Sequence, residues 1–175
     1  LHRATAHEQV LEMAEETIDH LIEAHAQPVE YPVEWDWEAL QEEFGNTFFT
    51  GIEVDTEERA AITRDTLRER LVQSVRDSYD RRVELVGPEL FHQVEKAVLL
   101  HTVDTCWQEH LFEMDELKDS VGFAGVGGKN PLIEYKKGAF DMFEQLLARI
   151  DQESLRHLFQ LRVDVERPPV RGQRP

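Results

Sequence analysis

The residues best placed to do chemistry are the glycines and lysine of the run Gly125-Val126-Gly127-Gly128-Lys129-Asn130. Glycines ahead of a lysine can wrap a phosphate, with backbone N–H groups as the cradle and the ammonium as the point charge. That chemistry also needs a glycine five residues before the Gly-Lys pair and a Ser or Thr after the lysine to hold magnesium. Here Phe123 and Asn130 stand at those places, and the run follows a helical pattern where a phosphate loop follows a strand. The run therefore reads as an adaptable hairpin tip. Among the histidines, His101 and Asp104 sit three apart, with Glu109 and His110 following. One helix can present ligands at such spacing, but a metal site needs another ligand converging from elsewhere, and no His-Glu-x-x-His run is present. These histidines read as packed or solvated, with no metal site. No Gly-x-Ser-x-Gly elbow supplies a nucleophile. The single Cys106 cannot form a disulfide within the chain or a Cys-type zinc site, and its apolar surroundings predict a buried, inert thiol. No catalytic residue and no cofactor is assigned on these grounds.

The elements that must position these residues are helices, so the expected fold class is all-α. Val10, Ala14, Ile18, Leu21 and Ile22 recur at helical spacing and predict a helix over 4–26, ended by Pro28 and Pro32. Asp36 can cap a short helix packed by Leu40 and Phe44 and closed by Gly45, with Phe48, Phe49, Ile52 and Val54 pinning the irregular stretch after it. Asp55 and Glu58 form a capping-box pattern ahead of one helix to about residue 85, striped by Leu67, Leu71, Val75 and Tyr79. Its Glu57, Glu58, Glu69, Arg64, Arg68 and Arg70 are the mixture of a solvated face. Gly87-Pro88 then punctuates the chain.

The longest element is predicted over 88–119, roughly 48 Å at 1.5 Å per residue. Leu90, Val94 and Val98 form one apolar series on it; Leu100, Val103, Trp107, Leu111 and Met114 form another. Trp107 is read as a core anchor, so that Trp107→Ala would cost about 3–5 kcal/mol if the indole is buried. After the glycine-rich connection from Ser120, Asn130 caps and Pro131 opens a last helix to about residue 161, with Tyr135, Ala139, Phe143, Leu146, Leu147, Ile150 and Leu158 on its apolar face. Two long helices joined by a short loop pack antiparallel, which leaves a tip carrying Phe123 and Val126. The Pro- and Arg-rich end from Arg167 reads as a linker.

The net charge of −17 and pI near 4.8 repel phosphates, so no nucleic acid is expected as a partner. Five lysines against fourteen arginines leave two readings open, a salt-rich cytoplasm or an ordinary acidic surface. No apolar run approaches the ~20 residues that span a bilayer. The chain opens at Leu1 without Met, which is read as a piece of a longer protein.

Two blocks carry a family resemblance. Trp107-Gln108-Glu109-His110-Leu111, followed by Met114-Asp115-Glu116-Leu117-Lys118, resembles the W-x-E-H-L-x-x-M-D-x-L-(K/R) run of the SecA preprotein translocase family. Lys129-Asn130-Pro131 and Glu134-Tyr135-Lys136 resemble its K-D-P-x-x-E-Y-K run. Tyr79 through Lys96, Thr66 through Arg70, and Trp35-Asp36 also fit, so the likeness covers roughly residues 30–160. The resemblance implies the end of a long scaffold helix over 1–26, a helical wing over 27–87, a two-helix finger over 88–161 and a linker tail over 162–175. It implies a non-catalytic part of a motor that hydrolyses ATP with Mg in two domains outside this chain and drives unfolded preprotein through the SecYEG channel. The preprotein-crosslinking domain and the C-terminal zinc motif also lie outside it. The implied partners are SecYEG, the preprotein and the motor domains, with a homodimer left open; the implied place is cytoplasmic, peripheral at the inner face of the plasma membrane. The implied contact residues are the tip Phe123, Ala124, Gly125, Val126, Gly127, Gly128 and Lys129. Val126 stands where the family usually has a bulky residue, most often Tyr, and Ala124 where it has Arg. A free-standing helical interaction module is the alternative; a sustained heptad with charged flanks would favour it, and here the stripes drift.

Overall fold

The computed structural model describes residues 5–27, 31–124 and 130–161, with Phe123 and Ala124 described by backbone alone. The described residues are all-α. Helix α1 spans Ala6–His25, α2 Trp37–Phe48, α3 Thr56–Ala61, α4 Arg64–Val86, α5 Pro88–Ala124 and α6 Pro131–Gln160, with a single 3-10 turn at Pro32–Glu34.

Local chemistry sets most of the boundaries. Thr5 accepts from the Glu8 N–H while Glu8 Oε2 accepts from the Thr5 N–H at 2.7 Å, a reciprocal cap that satisfies two orphan donors of α1. The predicted stripe Val10, Ala14, Ile18, Leu21 and Ile22 is buried. Asp36 caps α2 as expected. That helix does not stop at Gly45: it continues to Phe48, because Thr47 and Phe48 fall on the same inward face as Leu40 and Phe44. Closure comes from Phe49, whose φ of 50° is left-handed and whose N–H reaches the Gly45 carbonyl at 3.0 Å. Phe49 is thereby exposed, whereas Val54 is buried and Ile52 packs against the core.

The helix expected from residue 55 to 85 is two helices. Asp55 accepts from the Glu58 N–H at 2.8 Å and starts α3. Ile62 then turns extended with its side chain buried, and the Thr63 hydroxyl caps α4 by accepting from the Thr66 N–H. Leu67, Leu71, Val75 and Tyr79 are buried on α4 as predicted. Gly87, at φ 89°, ends it, and Pro88 opens α5.

One apolar cluster joins α1, α2 and α4 to the first turns of α5 and the last turns of α6. Phe48 meets Phe159 edge-on with centroids 5.3 Å apart, and Tyr79 meets Phe91 at the same distance. The cluster takes in no residue of α5 beyond Leu99 and none of α6 before Leu155. Beyond it α5 and α6 pack antiparallel, as expected: Thr102 bonds His157, Glu113 pairs with Arg149, and Leu117 lies against Gly138.

Candidate functional site

The hairpin of α5 and α6 is where the family-like residues lie, and its geometry begins with the phase of α5. Phe91, Glu95, Thr102, Cys106 and His110 face inward. Neither expected apolar series does so as a whole. Leu90, Leu100, Val103, Trp107 and Leu111 are exposed; Val94, Val98 and Met114 are half-buried. The reading of Trp107 as a core anchor is corrected, since its side chain is 46% exposed. The physical reason is size. Thr102 and Cys106 let the α6 backbone approach, as do Gly138 and the fully buried Ser154 on the other side. Bulky Trp107 and Leu111 are turned aside by that approach. Cys106 is buried as expected, and burial pushes its thiol further up, away from the reactive thiolate.

On one flank of the seam the displaced apolar residues form a continuous surface. Leu100, Val103, Trp107 and Leu111 follow one another along α5; Phe140, Phe143 and Leu147 do so along α6, all of them exposed. The His110 ring joins the two rows, 5.6 Å from Trp107 and 6.3 Å from Phe143 between centroids. His110 itself is 5% exposed, and its Nδ1 has no hydrogen-bond partner among the described residues. On the opposite flank Arg149 pairs with Glu113 at 3.1 Å and Glu109 at 3.6 Å. One face of the hairpin is therefore apolar and aromatic, and the other is ionic.

The family-like run 107–111 is split by this arrangement. His110 points in, Trp107 and Leu111 point out, and Glu109 serves the ion pair. Asp115 is exposed. Pro131 opens α6 behind Asn130, whose side chain accepts from the Leu132 N–H at 3.0 Å. Glu134 and Tyr135 are half-buried near the turn, well along the helices from Trp107. The tip residues Gly125, Val126, Gly127, Gly128 and Lys129 lie outside the described residues, as do the side chains of Phe123 and Ala124. Sequence reasoning missed Arg149 and Glu113. Their signal was present: Glu109 and Glu113 are one turn apart, and an arginine lies on the facing helix. No described helix is long and apolar enough to cross a membrane.

Comparison with known proteins places this geometry. The model of the SecA wing and scaffold domain matches residues 1–162. A protein translocase subunit SecA of Trichlorobacter lovleyi is 33% identical over 159 residues, covering 91% of this chain and 18% of that protein. The SecA 1 subunit of Thermobifida fusca is 34% identical over 173 residues, 96% of this chain and 18% of its own length. The Streptomyces coelicolor subunit is 34% identical over 164 residues, with coverages of 91% and 17%. The chain thus spans less than a fifth of the relatives it matches. An all-helical base carrying a long antiparallel hairpin, with this match over nearly its whole length, belongs to the SecA protein translocase family and lies in its wing and scaffold domain.

Proposed function

We propose that this chain is the non-catalytic scaffold, wing and finger of a preprotein translocase motor. On this reading 1–26 is the end of the scaffold helix, 27–87 the wing, 88–161 the finger and 162–175 a linker tail. The observation that carries it is the hairpin: α5 and α6 extend past the shared core and pack on each other, with the end of α5 at Ala124 and the start of α6 at Pro131 both beyond that core. A loop presented that way suits contact with a channel mouth and an unfolded preprotein, whose apolar side chains are exposed. The channel is SecYEG, and the work is done at the inner face of the plasma membrane. The aromatic flank around Trp107 and Phe143 suits contact with the motor domains that bind and hydrolyse ATP with Mg outside this span. Val126 in place of a bulky residue makes the tip contact small and apolar.

The test is photo-crosslinking from a reactive side chain at Val126, in the full-length parent during active export. Crosslinks to moving preprotein or to the channel support the reading. Crosslinks confined to the parent's own domains reject it and reduce the finger to an internal strut. The purified 175-residue chain is expected to hydrolyse no ATP; turnover that survives removal of contaminating ATPases would overturn the non-catalytic assignment.

A further inference from the structure

A polar chain runs through the apolar base of the hairpin. Glu95 of α5 is 2% exposed and Tyr79 of α4 is 1% exposed. The Tyr79 hydroxyl is in hydrogen-bond contact with Oε1 of Glu95. The same hydroxyl lies 3.0 Å from Nδ1 of His7 on α1, and His7 is exposed. His92, one turn before Glu95, brings its Nδ1 to 3.5 Å from the other carboxyl oxygen and is itself 58% exposed. Among the described residues the remaining neighbours offer Glu95 no cation. Arg82 of α4 donates to the Ser78 and Phe159 carbonyls and stacks on the Phe159 ring at 5.2 Å. From α6 the ring of Phe159 stands 6.3 Å from Tyr79, while His157 is engaged with Thr102 and Glu153.

Hydrogen counting gives this chain two states. A hydroxyl has one proton to donate. When Glu95 is protonated, its O–H donates to the Tyr79 oxygen, and the Tyr79 O–H donates to a His7 Nδ1 that carries no proton. When Glu95 is ionised, the Tyr79 O–H donates to the carboxylate, and His7 donates an Nδ1–H to Tyr79. Passing from the first state to the second breaks the Glu95 O–H and forms one on Tyr79. The original Tyr79 O–H breaks and an Nδ1–H forms on His7. One proton has then moved from the buried carboxyl to an exposed imidazole, which can release it to water.

We propose that Glu95, Tyr79 and His7 form a proton-relay latch that holds α1, α4 and the base of the hairpin together while Glu95 keeps its proton, and that loosens when the proton leaves through His7, because both hydrogen bonds survive but a charge is left buried at Glu95. Burial pushes the Glu95 carboxyl up to about 7 from its ordinary value of 4.5. A carboxyl raised in the folded state stabilises fully below the ordinary value, and that contribution is lost as pH rises through about 7. The latch joins the three segments whose relative angle sets where the hairpin points.

The test uses the 175-residue chain. Thermal melting and hydrogen exchange at α1 and the first turns of α5 are followed from pH 4.5 to above 7. Over that range, protection at these two sites, corrected for the intrinsic rate, is expected to fall about tenfold or more. Glu95→Gln, which keeps the shape and cannot ionise, should change less than about twofold. Tyr79→Phe removes the donor to the carboxylate and should move the transition to higher pH. Identical pH profiles in the wild type and Glu95→Gln overturn the latch, and an unmoved transition in Tyr79→Phe overturns the relay. Should Glu95→Gln fail to fold, the wild-type exchange decides alone: loss of protection spread evenly over all helices, or none, rejects the proposal.

Discussion

Truncating two aromatic residues of the hairpin should have very different costs, because one sits in the core and the other half in water. Phe159 is 1% exposed, meets Phe48 edge-on, and carries the Arg82 guanidinium over its ring. Phe159→Ala removes the transfer energy of the ring and leaves a cavity in a core with contributions from four other helices, so about 3–5 kcal/mol is expected. Trp107 is 46% exposed. A whole indole buries roughly 150–250 Å². About half of that, at about 25 cal/mol per Å², comes to roughly 2–3 kcal/mol. The compactness of real unfolded chains lowers this to about 1.5–2 kcal/mol, and an open surface adds no cavity cost. Urea titration followed by helical circular dichroism measures both, with unchanged m-values confirming that the same surface is exposed on unfolding. The total stability of a domain is about 5–15 kcal/mol, so Phe159→Ala is best measured in a stabilising osmolyte. A Trp107→Ala cost above about 3 kcal/mol, or one exceeding that of Phe159→Ala, would refute the exposed phase assigned to α5.

Three further perturbations probe other parts of the argument. Ser154 is fully buried and its hydroxyl has no partner among the described residues; Ser154→Ala should be neutral or stabilising by up to about 1 kcal/mol in the same titration, and a clear loss would reveal a hidden partner. A Cβ on Gly138 would come within 2.9 Å of Leu117 Cδ1, the movable end of a half-buried side chain. Gly138→Ala should therefore be absorbed, aided by about 1 kcal/mol of helix propensity, whereas Gly138→Leu should spread the helices and destabilise, as read by melting temperature. Glu15 accepts from both Arg68 and Arg76, and the Arg76 bond is the main reason its carboxyl lies below the ordinary 4.5. That stability is present above pH 4.5 and is lost as pH falls through the lowered value. Because all three side chains are partly solvated, Arg76→Gln should cost only about 0.5 kcal/mol at neutral pH, and nothing in acid or high salt.

How much of this was legible beforehand depended on whether the deciding contact was local. Asp36, Asp55, Asn130 and the Gly87-Pro88 pair act within one turn of the backbone they terminate, and each was readable. The stripe on α1 was readable because only one side of that helix is apolar. Gly45 failed as a stop because burial of Thr47 and Phe48 outweighs the glycine's weak preference, roughly 1 kcal/mol. The break at Ile62-Thr63 was hidden because Thr63 is a weaker cap signal than Asp55 and comes after it in the same helical pattern. On α5, Leu100, Val103, Trp107 and Leu111 share one side of the helix and are exposed, so periodicity names the wrong side as buried. What chooses the side is the close approach of α6 at Thr102 and Cys106, a tertiary fact. The candidate site was found through the resemblance of 107–118 and 129–136, and its α5 row is the second apolar series, which periodicity located but assigned to the core.

The two helices of the hairpin are not mechanically equal. Helix α5 runs 37 residues, about 55 Å, without an internal proline and with glycine only near its far end at Gly122. Helix α6 carries Gly138 at the start of its third turn, packed against Leu117. A glycine in a helix interior costs about 1 kcal/mol of helix propensity, so α6 is the less uniform of the two helices. At the base, α5 ends against Tyr79 of α4 through Phe91 and Glu95, while α6 ends under Arg82 of the same helix through Phe159. Both arms thus bear on one turn of α4. Close-packed interiors resist compression, so a displacement along α5 reaches α4 with little loss. The base of the hairpin is thus tied to α4 through both arms, by Phe91 and Glu95 on α5 and by Phe159 on α6.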